Sequence, residues 1–212
     1  MMNKHDKERA VKGALSLAAL IAASISGLIF FFLFYFSLPI LSSGLIGDFL
    51  TRGWDPDKGV LGIFPMIVGT IYIAGLAMIW ATPIGIGLAA FIQVFAPKPL
   101  GKILRWTVEF MTGIPTVVYG FAALFFLVPA IRRIFSYGTG LSVLTASVML
   151  ALLVLPTITL IAQDRLATVP KSQVLAALSL GASRMETFLH VLLPGAWRGL
   201  ISAVVLGAGR AV

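Results

Sequence analysis

The chain has 212 residues, no cysteine, a formal net charge of +8 and a mean hydropathy of +1.02, with 59% hydrophobic and only 11% charged residues. A water-soluble domain of this length needs far more polar surface, so the composition excludes one and indicates an all-α, polytopic integral membrane protein. The positive charges sit in short segments between apolar runs, as membrane orientation requires, and not in aromatic-interleaved basic runs, which argues against a nucleic-acid partner.

Residues 1–12 carry Lys4, Lys7, Arg9 and Lys12 against two acids, and Gly13–Leu41 follows without a charge. That run exceeds the ~20 residues a span requires and is about twice the ~7–15 residues of a signal-peptide core, so it reads as an uncleaved first span. Residues 42–61 form a polar, acidic-leaning loop in which Trp54 suits the headgroup level. Gly62–Phe95 is again uncharged, and its roughly 50 Å of helix is too long for one straight span. We read a long helix bent near Pro83, with a re-entrant element as the alternative.

Ala96–Trp106 brings Lys98, Lys102 and Arg105, with Glu109 placed to pair with Arg105 at i, i+4. A third span is expected from about Thr107 to Ile131, leaving Arg132 and Arg133 outside, and a fourth over about Leu141–Gln163 with a kink at Pro156. The polar segment 164–198 follows, and a fifth span begins near Gly199, where Gly199, Ala203 and Gly207 repeat every four residues. Because the sequence stops at Val212, well short of a full span, the expectation is a helical bundle incomplete at its C-terminus. Eleven of the 16 Lys and Arg residues fall in segments assigned to the inside and four in those assigned to the outside. This orients the N-terminus and segment 164–198 to the cytoplasm, with loop 42–61 outside. Added thiols should accordingly label at Ser43 from outside and at Ser183 only after permeabilisation.

Segment 164–198 carries the most specific pattern. A short helix is expected over Ser172–Leu180, capped by the Ser172 hydroxyl, with Val174, Ala177, Leu178 and Gly181 on one face. Gly181 supplies the left-handed turn that ends it, and a second helical run from Ser183 should stop at Pro194. The bland alternative is an amphipathic surface helix between two spans, which does not account for the Gly and Leu-Pro spacing. Catalytic and metal constellations are not apparent: His5 and His190 lack acidic companions at ligand spacing, and Gly85-x-Gly87 has no following Lys-Ser/Thr to make a nucleotide loop.

Leu175-Ala176-Ala177, Gly181 and Val191-Leu192-Leu193-Pro194 resemble the cytoplasmic coupling loop of ABC-importer permeases, with Leu175 where that family usually has Glu. Trp54-Asp55-Pro56, Glu109 with Gly113-Ile114-Pro115-Thr116-Val117-Val118-Tyr119-Gly120, and the ending Gly207-Ala208-Gly209-Arg210-Ala211-Val212 are similar to the permease subunits of phosphate importers. The resemblance implies a type I ABC importer permease fold, with residues 1–60 as an N-terminal helix and external loop and 61–212 as the permease domain. It also implies the following partners: a cytoplasmic ATPase dimer that holds the ATP, a second, paralogous permease subunit, a periplasmic or extracellular phosphate-binding protein, phosphate and membrane lipid. The chain itself would be no enzyme and hold no cofactor, in a bacterial inner membrane.

Leu175, Ala176, Ala177, Gly181, Val191, Leu193 and Pro194 would meet the ATPase. Arg210, Thr116 and Tyr119 are candidates for the substrate path. Arg210, a basic residue deep inside a span, either faces phosphate with its two-pronged guanidinium or pairs with an acid structurally. Glu109 is either an ion-pair partner of Arg105 or a substrate group. Three other readings stay open: a permease for another oxyanion or small solute, a non-transporting scaffold, and a secondary transporter, although for the last an acid within the membrane is lacking apart from Glu109.

Overall fold

A computed structural model describes residues 4–42, 44, 46–135 and 138–212. Ser43, the external labelling position considered above, lies outside the described residues. The chain divides into two units, Met1–Pro65 and Met66–Val212.

In the first unit, α1 (Lys4–Ser42) is one uninterrupted helix. None of its apolar stretch is buried, as expected of a helix whose solvent is hydrocarbon rather than a protein core. A short α2 (Ile46–Thr51) leads into a two-residue hairpin, β1 (Trp54–Asp55) and β2 (Val60–Leu61), paired antiparallel with Trp54 opposite Leu61. Gly59, at φ +68°, makes the turn between them, a conformation that costs glycine nothing. The expected loop 42–61 thus contains local structure, held by Arg52–Asp48 at 2.7 Å and Lys58–Asp55 at 2.9 Å.

The second unit is helical throughout: α3 (Phe64–Ala90, entering from the first unit), α4 (Lys98–Gly113), α5 (Thr116–Ala122), α6 (Val128–Phe135), α7 (Val143–Ala167), α8 (Lys171–Ser179), α9 (Arg184–Thr187) and α10 (Leu193–Ala211). Among the described residues, five helical stretches are long and apolar enough to cross a membrane: Val11–Ser42, Phe64–Phe95, Thr116–Phe135, Val143–Ala167 and Arg184–Ala211.

Two expected boundaries move. The third span does not begin at Thr107. Pro115 forces Ile114 into extended backbone (φ −74°, ψ 124°), so α4 ends at Gly113 as a separate helix and the span starts at Thr116. Pro194 does not stop a helix either, and the fifth span-length stretch begins at Arg184 rather than near Gly199. The proline sits in the first turn of α10, where a missing N–H costs nothing.

The chain reaches Pro194 through a widened π turn, Phe188–Leu192, in which the Leu193 N–H donates to Phe188 O, five residues back. The same device recurs at Phe91–Phe95 before Pro97, where Ala96 N donates to Phe91 O, and at Ala123–Leu127 before Pro129, where Val128 N donates to Ala123 O. A helical proline clashes with the carbonyl four residues earlier. At Pro129 and Pro194, where the helix continues, that carbonyl lies inside the widened turn, which makes room for the ring; at Pro97 the chain has already left the helix through extended Ala96. Pro83 and Pro156, by contrast, lie within α3 and α7 with no such turn.

The core forms where α7 packs between α3 and α10. Gly85 on α3 and Gly207 on α10 both face Ile158, which is fully buried: a Cβ at Gly85 would lie 2.9 Å from Ile158 Cγ2, and one at Gly207 2.6 Å from Ile158 Cγ1. Gly199 faces the Arg165 side chain in the same way, and Ala203 between them is fully buried. The four-residue repeat is therefore the face on which α10 closes against α7, as small residues permit. Gly207→Val should overpack this seam, at a cost of about 1–3 kcal/mol, and lower the folded amount of chain. Thermal unfolding in nanodiscs would show a reduced Tm, substantially restored by adding Ile158→Ala.

Candidate functional site

The loop between α7 and α10 is built by local rules. Its entry is set by Val169-Pro170 and not by Ser172: Pro170 is the residue before the first turn of α8 and no side chain caps it. Proline pre-sets the backbone there, so the expected Ser172 cap is absent. At the other end, Gly181 (φ +87°) closes α8 in a Schellman arrangement, Ala182 N donating to Ala177 O at 3.1 Å and Gly181 N to Leu178 O at 3.0 Å. The run of Ser183 and Glu186 then caps α9 reciprocally, with Glu186 N to Ser183 Oγ at 3.2 Å and Ser183 N to Glu186 Oε2 at 2.8 Å. The expectations above overlooked this box, although Ser-x-x-Glu is legible in sequence.

These stops hold a nine-residue helix on the base of the core. Val174 packs against a buried cluster that includes Leu166, Val169 and Leu192. The rest of the segment is open and apolar: Leu175 is 62% exposed and Leu180, just past the end of the helix, 89%. Ala176 and Gly181 are exposed and Ala177 half-buried on the same helix, while Val191 and Leu193 are half-buried in the widened turn and first turn of α10, beside exposed Pro194. The loop thus presents Leu175, Ala176 and Gly181 outward, whereas Val191 and Leu193 form part of its footing.

Beside this loop, Arg105 Nε donates to Glu109 Oε1 at 2.8 Å, and its Nη2 lies 3.9 Å from Asp164 Oδ1 at the end of α7. All three side chains are partly solvent-exposed, so these contacts add little stability; only the one to Asp164 links α4 to α7. The Tyr119 hydroxyl donates to Met111 O at 2.9 Å across the Ile114-Pro115 break, tying α5 to the end of α4, and Thr116 is exposed in the first turn of α5.

Arg210, in the last turn of α10, donates from Nη1 to Thr157 Oγ1 of α7 at 2.8 Å. Among the described residues no carboxylate lies within ion-pair distance of it. Its partner lies 53 residues away in sequence, so Thr157 has no sequence-level signal. A guanidinium has five N–H donors, and one hydrogen bond to a neutral hydroxyl fixes its direction while leaving charge and donors for a ligand.

Five helical stretches long and apolar enough to cross a membrane, among the described residues, define a polytopic membrane protein. The chain belongs to the family described as binding-protein-dependent transport system inner membrane component, which residues 81–212 match. It is 41% identical over 167 residues to the probable ABC transporter permease protein YqgH of Bacillus subtilis, covering 77% of this chain and 54% of that protein. To the phosphate transport system permease protein PstC of Mesorhizobium japonicum it is 30% identical over 216 aligned positions, covering 92% of this chain and 65% of the relative. The chain therefore spans about half to two thirds of the length of these curated relatives. Its fold is similar to that of a chain of the MetNI methionine ABC transporter in an inward-facing conformation, with a TM-score of 0.58 and 22% identity over 68% of this chain and 70% of that one. The type I ABC importer permease architecture and the multi-pass membrane setting expected from sequence both hold.

Proposed function

We propose that the chain is a PstC-type permease subunit of an ATP-driven phosphate importer, forming half of the translocation path with a second, paralogous permease subunit. A periplasmic or extracellular phosphate-binding protein delivers the substrate, and a cytoplasmic ATPase dimer binds and hydrolyses the ATP. The observation that carries the substrate class is Arg210: a guanidinium inside an apolar span, held by Thr157 and without a carboxylate partner among the described residues. A planar fork of this kind matches the oxygens of phosphate in two parallel hydrogen bonds. The similarity to PstC over most of the chain supports the same reading. Thr116 stands with Arg210 as a path candidate, while the Tyr119 hydroxyl, already bonded to Met111 O, contributes by positioning α5.

Coupling to the ATPase runs through 164–198, where the open face of α8 meets a cleft on that partner and the core beneath α8 receives its push. The direct test is ATP-dependent uptake of radiolabelled phosphate by the chain co-reconstituted with its partners, with sulfate and molybdate as competitors. Uptake of radiolabelled sulfate or molybdate in place of phosphate would transfer the reading to another oxyanion, and assembly without any uptake would make the chain a scaffold. The proposed orientation has its own check: in this cysteine-free chain, Asp57→Cys should label from outside and Leu180→Cys only after permeabilisation. The opposite pattern would invert the topology.

A further inference from the structure

A cavity of about 390 Å³ lies beneath α8, within the range of about 300–1,000 Å³ common to small-molecule sites. Apolar side chains from four places build its wall: Val94 in the first widened turn, Leu166 at the end of α7, Val174 on α8 and Leu192 in the third widened turn. Phe95 and Phe188 meet edge to face at 6.0 Å, bringing those two turns together. Widened turns of this kind recur at functional sites.

The charge on this wall is one-sided. Lys171 and Arg184 both line the cavity, no acidic residue does, and neither cation has a carboxylate partner among the described residues. Lys171 is also the first residue of α8, whose N-terminus no side chain caps, so the positive end of the helix adds to the same field. An apolar chamber is poorly satisfied by water alone, and two unpaired cations at its wall repel a basic ligand.

The geometry points to a binding site for an amphiphilic anion, a phosphate or carboxylate head on an apolar body, seated between α8 and the two widened turns. Such a molecule bridges α8 to the ends of α3 and α10 and so restrains the loop. Its consequence for transport, a brake on coupling, rests on the function proposed above; the binding does not.

The test reads binding without transport. Val174→Cys places the chain's only thiol on the cavity wall, and Leu180→Cys places one outside it, on a residue 89% exposed. Alkylation rates are measured for the chain in phosphatidylcholine nanodiscs with octyl phosphate or neutral octyl glucoside, and separately in phosphatidylglycerol nanodiscs without either. Octyl phosphate should slow Val174→Cys alkylation at least several-fold, with octyl glucoside without effect and Leu180→Cys unchanged. Lys171→Gln with Arg184→Gln should remove the protection. Protection in phosphatidylcholine with octyl phosphate identifies a soluble anion as ligand, and protection in phosphatidylglycerol alone identifies the head of an anionic lipid. Equal rates in every arm, or equal protection by octyl glucoside or at Leu180→Cys, would overturn the site. Failure of phosphate uptake would leave this result untouched, so the two proposals fail separately.

Discussion

Gly181→Leu in the assembled transporter should reduce phosphate uptake by about 5- to 30-fold while the chain still inserts in the membrane. The cause is conformation and not space. Gly181 sits at φ +87° and a Cβ there would meet nothing within 4 Å, so the penalty comes from the backbone. An L-residue in the left-handed region costs about 1–2 kcal/mol, which is a factor of 5–30 in the population of the stopped loop. When that stop is lost, the bonds from Ala182 N to Ala177 O and from Gly181 N to Leu178 O are lost with it, and the end of α8 is no longer fixed. Gly181→Asn supplies the control, since asparagine tolerates this backbone and should retain most of the activity. Equal, normal uptake and ATP hydrolysis in both variants would remove α8 from the coupling role.

Arg210→Gln is expected to lower uptake per assembled complex by about 10- to 100-fold, matching the loss of a charge-assisted hydrogen bond of ~1.5–3 kcal/mol. Arg210→Lys should fall between, because lysine keeps the charge but not the planar fork. Thr157→Val should raise the phosphate concentration needed for half-maximal uptake with little change in the maximal rate, and Thr157→Ser should restore it, since the hydroxyl only aims the guanidinium. If Arg210→Gln instead lowers assembly and leaves uptake per complex normal, the arginine is a structural element of the α7–α10 seam.

Much of this architecture was legible as unbroken apolar length. The spans over α1, α3 and α7 fall close to where the runs placed them, because a helix satisfies its own backbone groups in hydrocarbon within one continuous segment. The prolines were harder to read. Pro115 divides two helices, Pro194 is absorbed by a widened turn and Pro156 lies inside α7. The difference lies in whether the preceding turn can widen or must extend, which a proline's presence alone does not encode. The small-residue repeat on α10 was visible, but not the residues it receives: Ile158 and Arg165 come from another helix. For the same reason the Arg105–Glu109 spacing was readable within one helix and Thr157–Arg210 was not.

The glycine seam has a mechanical meaning. Ile158 is gripped from both sides by backbone rather than by compliant side chains, so α7 and α10 have almost no play between them and tilt together. At 1.5 Å per residue, the 19 residues of α10 make a rod of about 28 Å. A tilt of only ~5° delivered at its loop end displaces the opposite end, where Arg210 sits, by roughly 2.5 Å over that length. That is enough to break or make a hydrogen bond. A stiff lever with no backlash lets a small stroke at the loop end arrive undiminished at a single guanidinium.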